Sequence, residues 1–194
     1  MKGFTLIETM IAITILTFAM AGPMFTAGRS IVAAQTARDQ LTATYLAQEG
    51  IEYVRMMRDN EYLTAYHAGG ADISSTAWSN YLTGLDVTSI TRCIAPNTCT
   101  LDTAGNGGLE PCPGNSCAPL YLMGCVNGPD GLSCTPPNRY IQHELPGSVR
   151  SPFTRTIQAI GVSSSEEKII STVSWSFHGT PYFVTVSDHL TPWQ

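Results

Sequence analysis

The sequence predicts an α+β chain, with one long amino-terminal α-helix followed by a globular head built on antiparallel β-strands. Three observations predict it. Thr9 to Gly28 is an apolar run with no charged residue, bracketed by Glu8 and Arg29. From Ala43 to Met57, apolar and small residues recur at helical spacing. From Phe153 to Ser187, residue character alternates with a period of two. A chain of 194 residues has room for one globular domain and an appendage. Ten basic against fifteen acidic residues give a net charge of −5, which argues against a basic nucleic-acid binder. Charged residues are 13% of the chain, where soluble domains carry about 25%. Mean hydropathy is only +0.04, so this is not a polytopic membrane protein. At 43% apolar, it is not disordered throughout either.

The first element is the apolar run. As a helix its 20 residues reach about 30 Å, the hydrocarbon thickness of a bilayer. A cleaved secretory signal is a poor reading. The run exceeds the usual apolar core of about 7–15 residues, Lys2 is the only basic residue ahead of it, and Glu8 sits at its mouth. Gly22 and Pro23 interrupt the run, and a proline there removes one backbone hydrogen bond and favours a kink.

Met1-Lys2-Gly3-Phe4-Thr5-Leu6-Ile7-Glu8 resembles the processing site of type IV prepilins and pseudopilins. The resemblance implies a leader of residues 1–3, cleavage after Gly3 by a membrane prepilin peptidase, and N-methylation of Phe4. It also implies a role for Glu8 in assembly, neutralising the Phe4 amine of a neighbouring subunit. An unpaired carboxylate in hydrocarbon is costly, so such a pairing would set axial register. Snorkelling of Glu8 to the lipid headgroups is the simpler alternative. In that family the helix is often kinked or melted near the position of Gly22 and Pro23 in the filament; a mild static kink is the alternative.

The helix is expected to continue to about Asn60, with 4–28 as the membrane and filament-core half and 29–60 as the amphipathic half. Ala43, Leu46, Ala47, Gly50, Ile51, Val54 and Met57 form a stripe suited to lying on a sheet. Gln48, Glu52, Arg55 and Asp59 mark the other side, and Leu41 and Tyr45 stand opposite the stripe. Ala47 to Arg55 resembles the stalk segment of PilV-like minor pilins, and ordinary amphipathic helix is the plainer reading.

Residues 61–194 are expected to form a globular β head. Three alternating runs, Phe153–Ile160, Ile169–Phe177 and Tyr182–Ser187, are separated by Gly161–Glu167 and His178–Thr180, as in a β-meander. The resemblance implies a four-stranded sheet over the second half of the long helix, the type IV pilin fold. Val173-Ser174-Trp175 and Leu190-Thr191-Pro192-Trp193 resemble the tail of PilV-like minor pilins; core packing explains Trp175 and Trp193 equally well.

Cys93, Cys99, Cys112, Cys117, Cys125 and Cys134 all lie in a Pro-, Gly- and Asn-rich window, 92–135, that reads as loop. The resemblance places the head outside the cytoplasm, so six cysteines read as three disulfides. Fifteen pairings are open, with Cys93–Cys99 and Cys112–Cys117 as plausible local staples. Zinc is the rival reading, less favoured by spacings of five and four between thiols. No metal site is expected. Asp102, Asn106 and Glu110, with Asp130 nearby, form no complete calcium pattern and read as a solvated turn. His67, His143, His178 and His189 are scattered and no catalytic motif occurs, so neither enzymatic activity nor a cofactor is expected. Arg92, Arg139, Arg150, Arg155 and Lys168 form no run, so no nucleic acid is expected as a partner.

The function that follows is a structural subunit of a type IV pilus, closest to PilV-like minor pilins. The alternatives are a minor pseudopilin of type II secretion or DNA uptake, or a tip adhesin using the cysteine-rich loop. Expected partners are other pilin subunits, the prepilin peptidase, an inner-membrane assembly platform and, before assembly, membrane lipid. The expected location is the inner membrane, then an extracellular pilus or a periplasmic pseudopilus.

Overall fold

A computed structural model describes residues 5–83, 93–102, 108–124, 126–128, 131–133 and 139–192. Helix α1 runs from Leu6 to Ala68, 63 residues, eight beyond the expected end at Asn60. Nothing between Asn60 and Ala68 breaks a helix. Gly69 does: it takes φ +71°, and its N–H reaches back to the Tyr66 carbonyl at 3.3 Å, closing the last turn.

The chain divides into two units, 1–41 and 42–194. In the described part of the first, from Leu6 onward, the backbone is helical throughout and no residue is buried. The second holds the rest of α1 and the whole head. Here the stripe read from the sequence faces inward: Ala43, Leu46, Ala47, Gly50, Ile51 and Val54 are buried, and Met57 is half-buried. Gln48 and Glu52 face solvent.

A second helix, α2 (Ile73–Thr83), was not expected in the head. Asp72 caps it, its carboxylate accepting from the Ser75 N–H at 3.2 Å. Ala77, Trp78 and Tyr81 turn one face into the core, and the Trp78 ring N–H donates to the Ser164 carbonyl at 2.9 Å.

The principal sheet has five strands, not four, in the order β10-β9-β8-β1-β2. Its meander is β8 (Thr154–Ser163), β9 (Glu166–Phe177) and β10 (Thr180–Leu190). The strands are longer than their alternating cores, so the first turn shrinks to Ser164 and Ser165. The odd-numbered residues of β8 and β9 face the helix: Arg155, Ile157, Ala159, Ile169, Ser171, Val173 and Trp175 are buried. Trp175 packs between Phe153 and Tyr182 in one core cluster with Ala43, Leu46 and Ala47. Ile51 and Val54 join Trp78, Tyr81, Leu101, Ile157 and Ile169 in another. Trp193 lies outside the described residues.

The other two strands come from the window that reads as loop. β1 (Cys99–Asp102) and β2 (Gly108–Pro111) form an antiparallel hairpin, and β1 joins the sheet where Cys99 pairs with Ile157. Farther on, β3 (Tyr121–Met123) lies between β6 (Arg139–Ile141) and β7 (Ser148–Arg150), while β4 (Val126–Gly128) pairs with β5 (Gly131–Ser133). These strands have three or four residues each, too few to show alternation between their flanking Gly and Pro. Disulfides join Cys93 to Cys99, with Cα atoms 5.2 Å apart, and Cys112 to Cys117, with Cα atoms 4.6 Å apart. Cys125 and Cys134 lie outside the described residues.

Gly50 marks a close approach of α1 to the sheet. A Cβ there would lie 2.6 Å from the Ser171 hydroxyl and 3.2 Å from Ile157 Cδ1, both on buried residues. Alanine would gain about 1 kcal/mol of helix propensity over glycine, but a contact this short in a packed core outweighs it. Gly50→Ala is expected to lower the thermal midpoint of the head. Adding Ser171→Ala should recover part of the loss; a midpoint raised by the single substitution would refute the close approach.

Candidate functional site

The first candidate surface is the start of α1. Gly3 and Phe4, expected at the processing point, lie outside the described residues. Glu8 is solvent-exposed in the first turn of the helix, where the aligned peptide dipoles favour negative charge. Behind it the apolar side chains point outward all round, with Ile13 61% and Phe18 81% exposed. Among the described residues this is the helix long and apolar enough to cross a membrane, and none of its apolar stretch is buried in the fold.

Its polar atoms are handled within the helix. Thr9 donates to the Leu6 carbonyl, Thr14 to Ile11, Thr17 to Thr14, Thr26 to Gly22 and Pro23, and Ser30 to Thr26, all at 2.8–3.2 Å. A hydroxyl bonded to its own backbone leaves no donor stranded in hydrocarbon. Pro23 lies inside α1, and the helix continues across Gly22 and Pro23. At the far end Arg29 lies over the Phe25 ring at 4.6 Å, its charge at the edge of the apolar stretch.

In the head, polar groups latch α1 to the sheet. Arg155 has the same strand parity as Ile157 and Ala159 and is fully buried. Its guanidinium donates to Glu49 at 2.6 Å, to the Leu46 carbonyl at 3.2 Å and to the Leu101 carbonyl at 2.9 Å. Burial pulls its pKa below the usual arginine value, and Glu49 opposes that. Arg55 bonds Asp188 at 2.9 Å and Glu52 at 2.6 Å. Arg58 reaches the Thr191 carbonyl at 3.3 Å.

Asp102 and Glu110 do not sit in a solvated turn. Asp102 is buried on β1 and Glu110 is on β2. His143 lies against them, Nδ1 3.2 Å from Asp102 and Nε2 3.6 Å from Glu110. Their separation in sequence, 41 residues for Asp102 and His143, hid the grouping. Asn106 and Asp130 lie outside the described residues. His189 pairs instead with Glu166 at 2.6 Å, while His67 and His178 meet the neighbouring Tyr66 and Phe177 edge to face.

Residues 1–22 match the family model described as the prokaryotic N-terminal methylation motif. The motif marks a type IV pilin-like protein or pseudopilin. No curated protein and no solved structure matches the chain. The long helix packed on a carboxy-terminal antiparallel sheet has the layout of the type IV pilin fold. For a pilin-like protein the motif points to a structural subunit rather than an enzyme family, and to association with other pilin subunits. With one long apolar amino-terminal helix, it fits a prepilin anchored in the inner membrane.

Two measurements probe the latch and the buried charge of this pilin-like head. Glu49→Ala leaves the Arg155 guanidinium buried without its carboxylate. Because Glu49 is partly solvated, the expected loss is about 3 kcal/mol, the low end for a broken buried pair, read by chemical denaturation. Glu167 is buried, its Oε1 atom without a hydrogen-bond partner among the described residues, and burial raises its carboxyl above the ordinary value of 4.5. The folded form therefore holds the proton more tightly than the unfolded chain. Its contribution to stability is complete below pH 4.5 and is lost as pH rises through the higher folded value. Glu167→Gln is expected to raise the thermal midpoint at pH 7 and to flatten its pH dependence just above 4.5. An unchanged pH profile would count against the buried carboxylate as its source.

Proposed function

We propose that this chain is a PilV-like minor pilin, cleaved after Gly3, N-methylated at Phe4 and carried into a type IV pilus by its amino-terminal helix. The observation that carries the reading is the apolar helix that begins within the methylation motif, exposed all round and headed by Glu8. In water so much apolar surface would drive aggregation, and lipid followed by the helices of neighbouring subunits covers it. Glu8 then pairs with the Phe4 amine of an adjacent subunit in a low-dielectric core, where the attraction is strong. Gly22 and Pro23 supply a point of weakened backbone hydrogen bonding at which the helix can bend or extend. A head with its six cysteines in three disulfides suits a surface outside the cytoplasm.

The adhesive-tip reading finds little support. Exposed aromatic side chains in the cysteine-rich window would favour it, and Tyr121, the aromatic residue there, is half-buried on β3.

Mass spectrometry of filaments sheared from the native organism tests the proposal. A trace amount of chain starting at methylated Phe4 is expected. A dominant amount would make it the main pilin, and processed chain left wholly in membranes would indicate a secretion or uptake pseudopilus. Glu8→Ala should still be processed yet enter filaments poorly, and normal incorporation of that variant would sink the pairing.

A further inference from the structure

We propose that Asp102, Glu110 and His143 form a binding site for one divalent d-block cation of the zinc class. The three residues can each offer one ligand atom such that all three atoms lie within 4.8 Å of one another. Thr100, Asp102 and Glu110 occupy the same face of the β1–β2 hairpin, because Thr100 pairs with Glu110 and Asp102 lies two residues along the strand. His143 is brought over that face by its neighbour. The Thr100 hydroxyl donates to Gln142 Oε1 at 2.6 Å, and Gln142 Nε2 donates to the Ala118 carbonyl at 3.1 Å. Both Thr100 and Gln142 are buried, so the histidine rests on a fixed platform rather than on a loose loop.

The ligand chemistry sets the class of ion. Zinc is bound by imidazole nitrogen and carboxylate oxygen at about 2.0–2.2 Å, which places neighbouring ligand atoms of a tetrahedral ion roughly 3.4 Å apart. The 3.2 Å from His143 Nδ1 to Asp102 is close to that spacing, and with Glu110 the three ligand atoms lie within 4.8 Å of one another, so side-chain rotation alone would close them on an ion. Calcium takes six to eight oxygen ligands, which an imidazole does not supply. Two carboxylates balance the charge of a divalent cation, and the neutral imidazole supplies the nitrogen ligand. Asp102 is buried while Glu110 and His143 are about half exposed, so the site opens to solvent and a water completes the coordination.

The test uses the full chain in detergent with its cysteines oxidised, since free thiols would bind metal themselves. Cobalt(II) chloride is titrated and read by its visible absorption, then displaced with zinc chloride. One equivalent bound, with the spectrum of nitrogen and oxygen ligands and displacement by zinc, is expected. His143→Ala and Glu110→Gln, both at exposed side chains, should each weaken binding at least about tenfold. His189→Ala should leave it unchanged. X-ray absorption of the zinc-loaded wild type gives a readout without any variant, and one imidazole among oxygen ligands is expected. No saturable binding, a thiolate charge-transfer band, or binding indifferent to both substitutions would overturn the site. So would saturation by calcium with no response to cobalt.

Discussion

Ala43, Ala47 and Gly50 place almost no side chain between the backbone of α1 and the sheet, and the rest of the head is arranged around that close approach. Leu46, Ile51 and Val54 project between the small residues and reach two separate core clusters. One cluster draws in α2 and the β1–β2 hairpin, the other Phe153, Trp175 and Leu120. A bulkier stripe would push the helix off β8 and β9, and the Arg155 guanidinium would then lose its reach to Leu46 and Glu49. A buried ion pair is weak evidence of added stability, because desolvation offsets its attraction. Here the arginine bonds α1 and β1 from one strand, so it fixes how three elements meet.

Much of this was legible in the sequence, where each element is long enough to show its period. The stripe from Ala43 to Val54 and the alternation in β8, β9 and β10 are repeated signals, and the structure keeps their faces as read. The hairpin β1–β2 was not legible, because four residues between cysteines, glycines and a proline display no periodicity. Helix α2 carried a fainter mark that could have been used: Asp72 as cap, then Ala77, Trp78 and Tyr81 on one face. The depth of Arg155 was also signalled. It stands in register with Ile157 and Ala159, and parity outranks charge when a carboxylate and two carbonyls wait on the inner face.

The candidate sites divide in the same way. The amino-terminal motif is contiguous, so local order alone discloses it. Asp102, Glu110 and His143 are drawn together by strand pairing and by the Gln142 platform, which only a folded chain defines. The disulfides fall between these cases. Both described bridges span five or six residues, short enough for sequence proximity to suggest them, although proximity could not choose among fifteen pairings.

The threonines and the serine of the apolar helix have a further consequence. Each of the hydroxyls bonded to a carbonyl one turn back is satisfied before any neighbour arrives. Such a rod has no polar preference between fatty acyl chains and the side chains of other helices. A change of surroundings makes and breaks no side-chain hydrogen bonds along that stretch, so packing decides which surroundings those hydroxyl-bearing turns favour. In its polar contacts a segment of this kind is indifferent to which of two oily phases surrounds it.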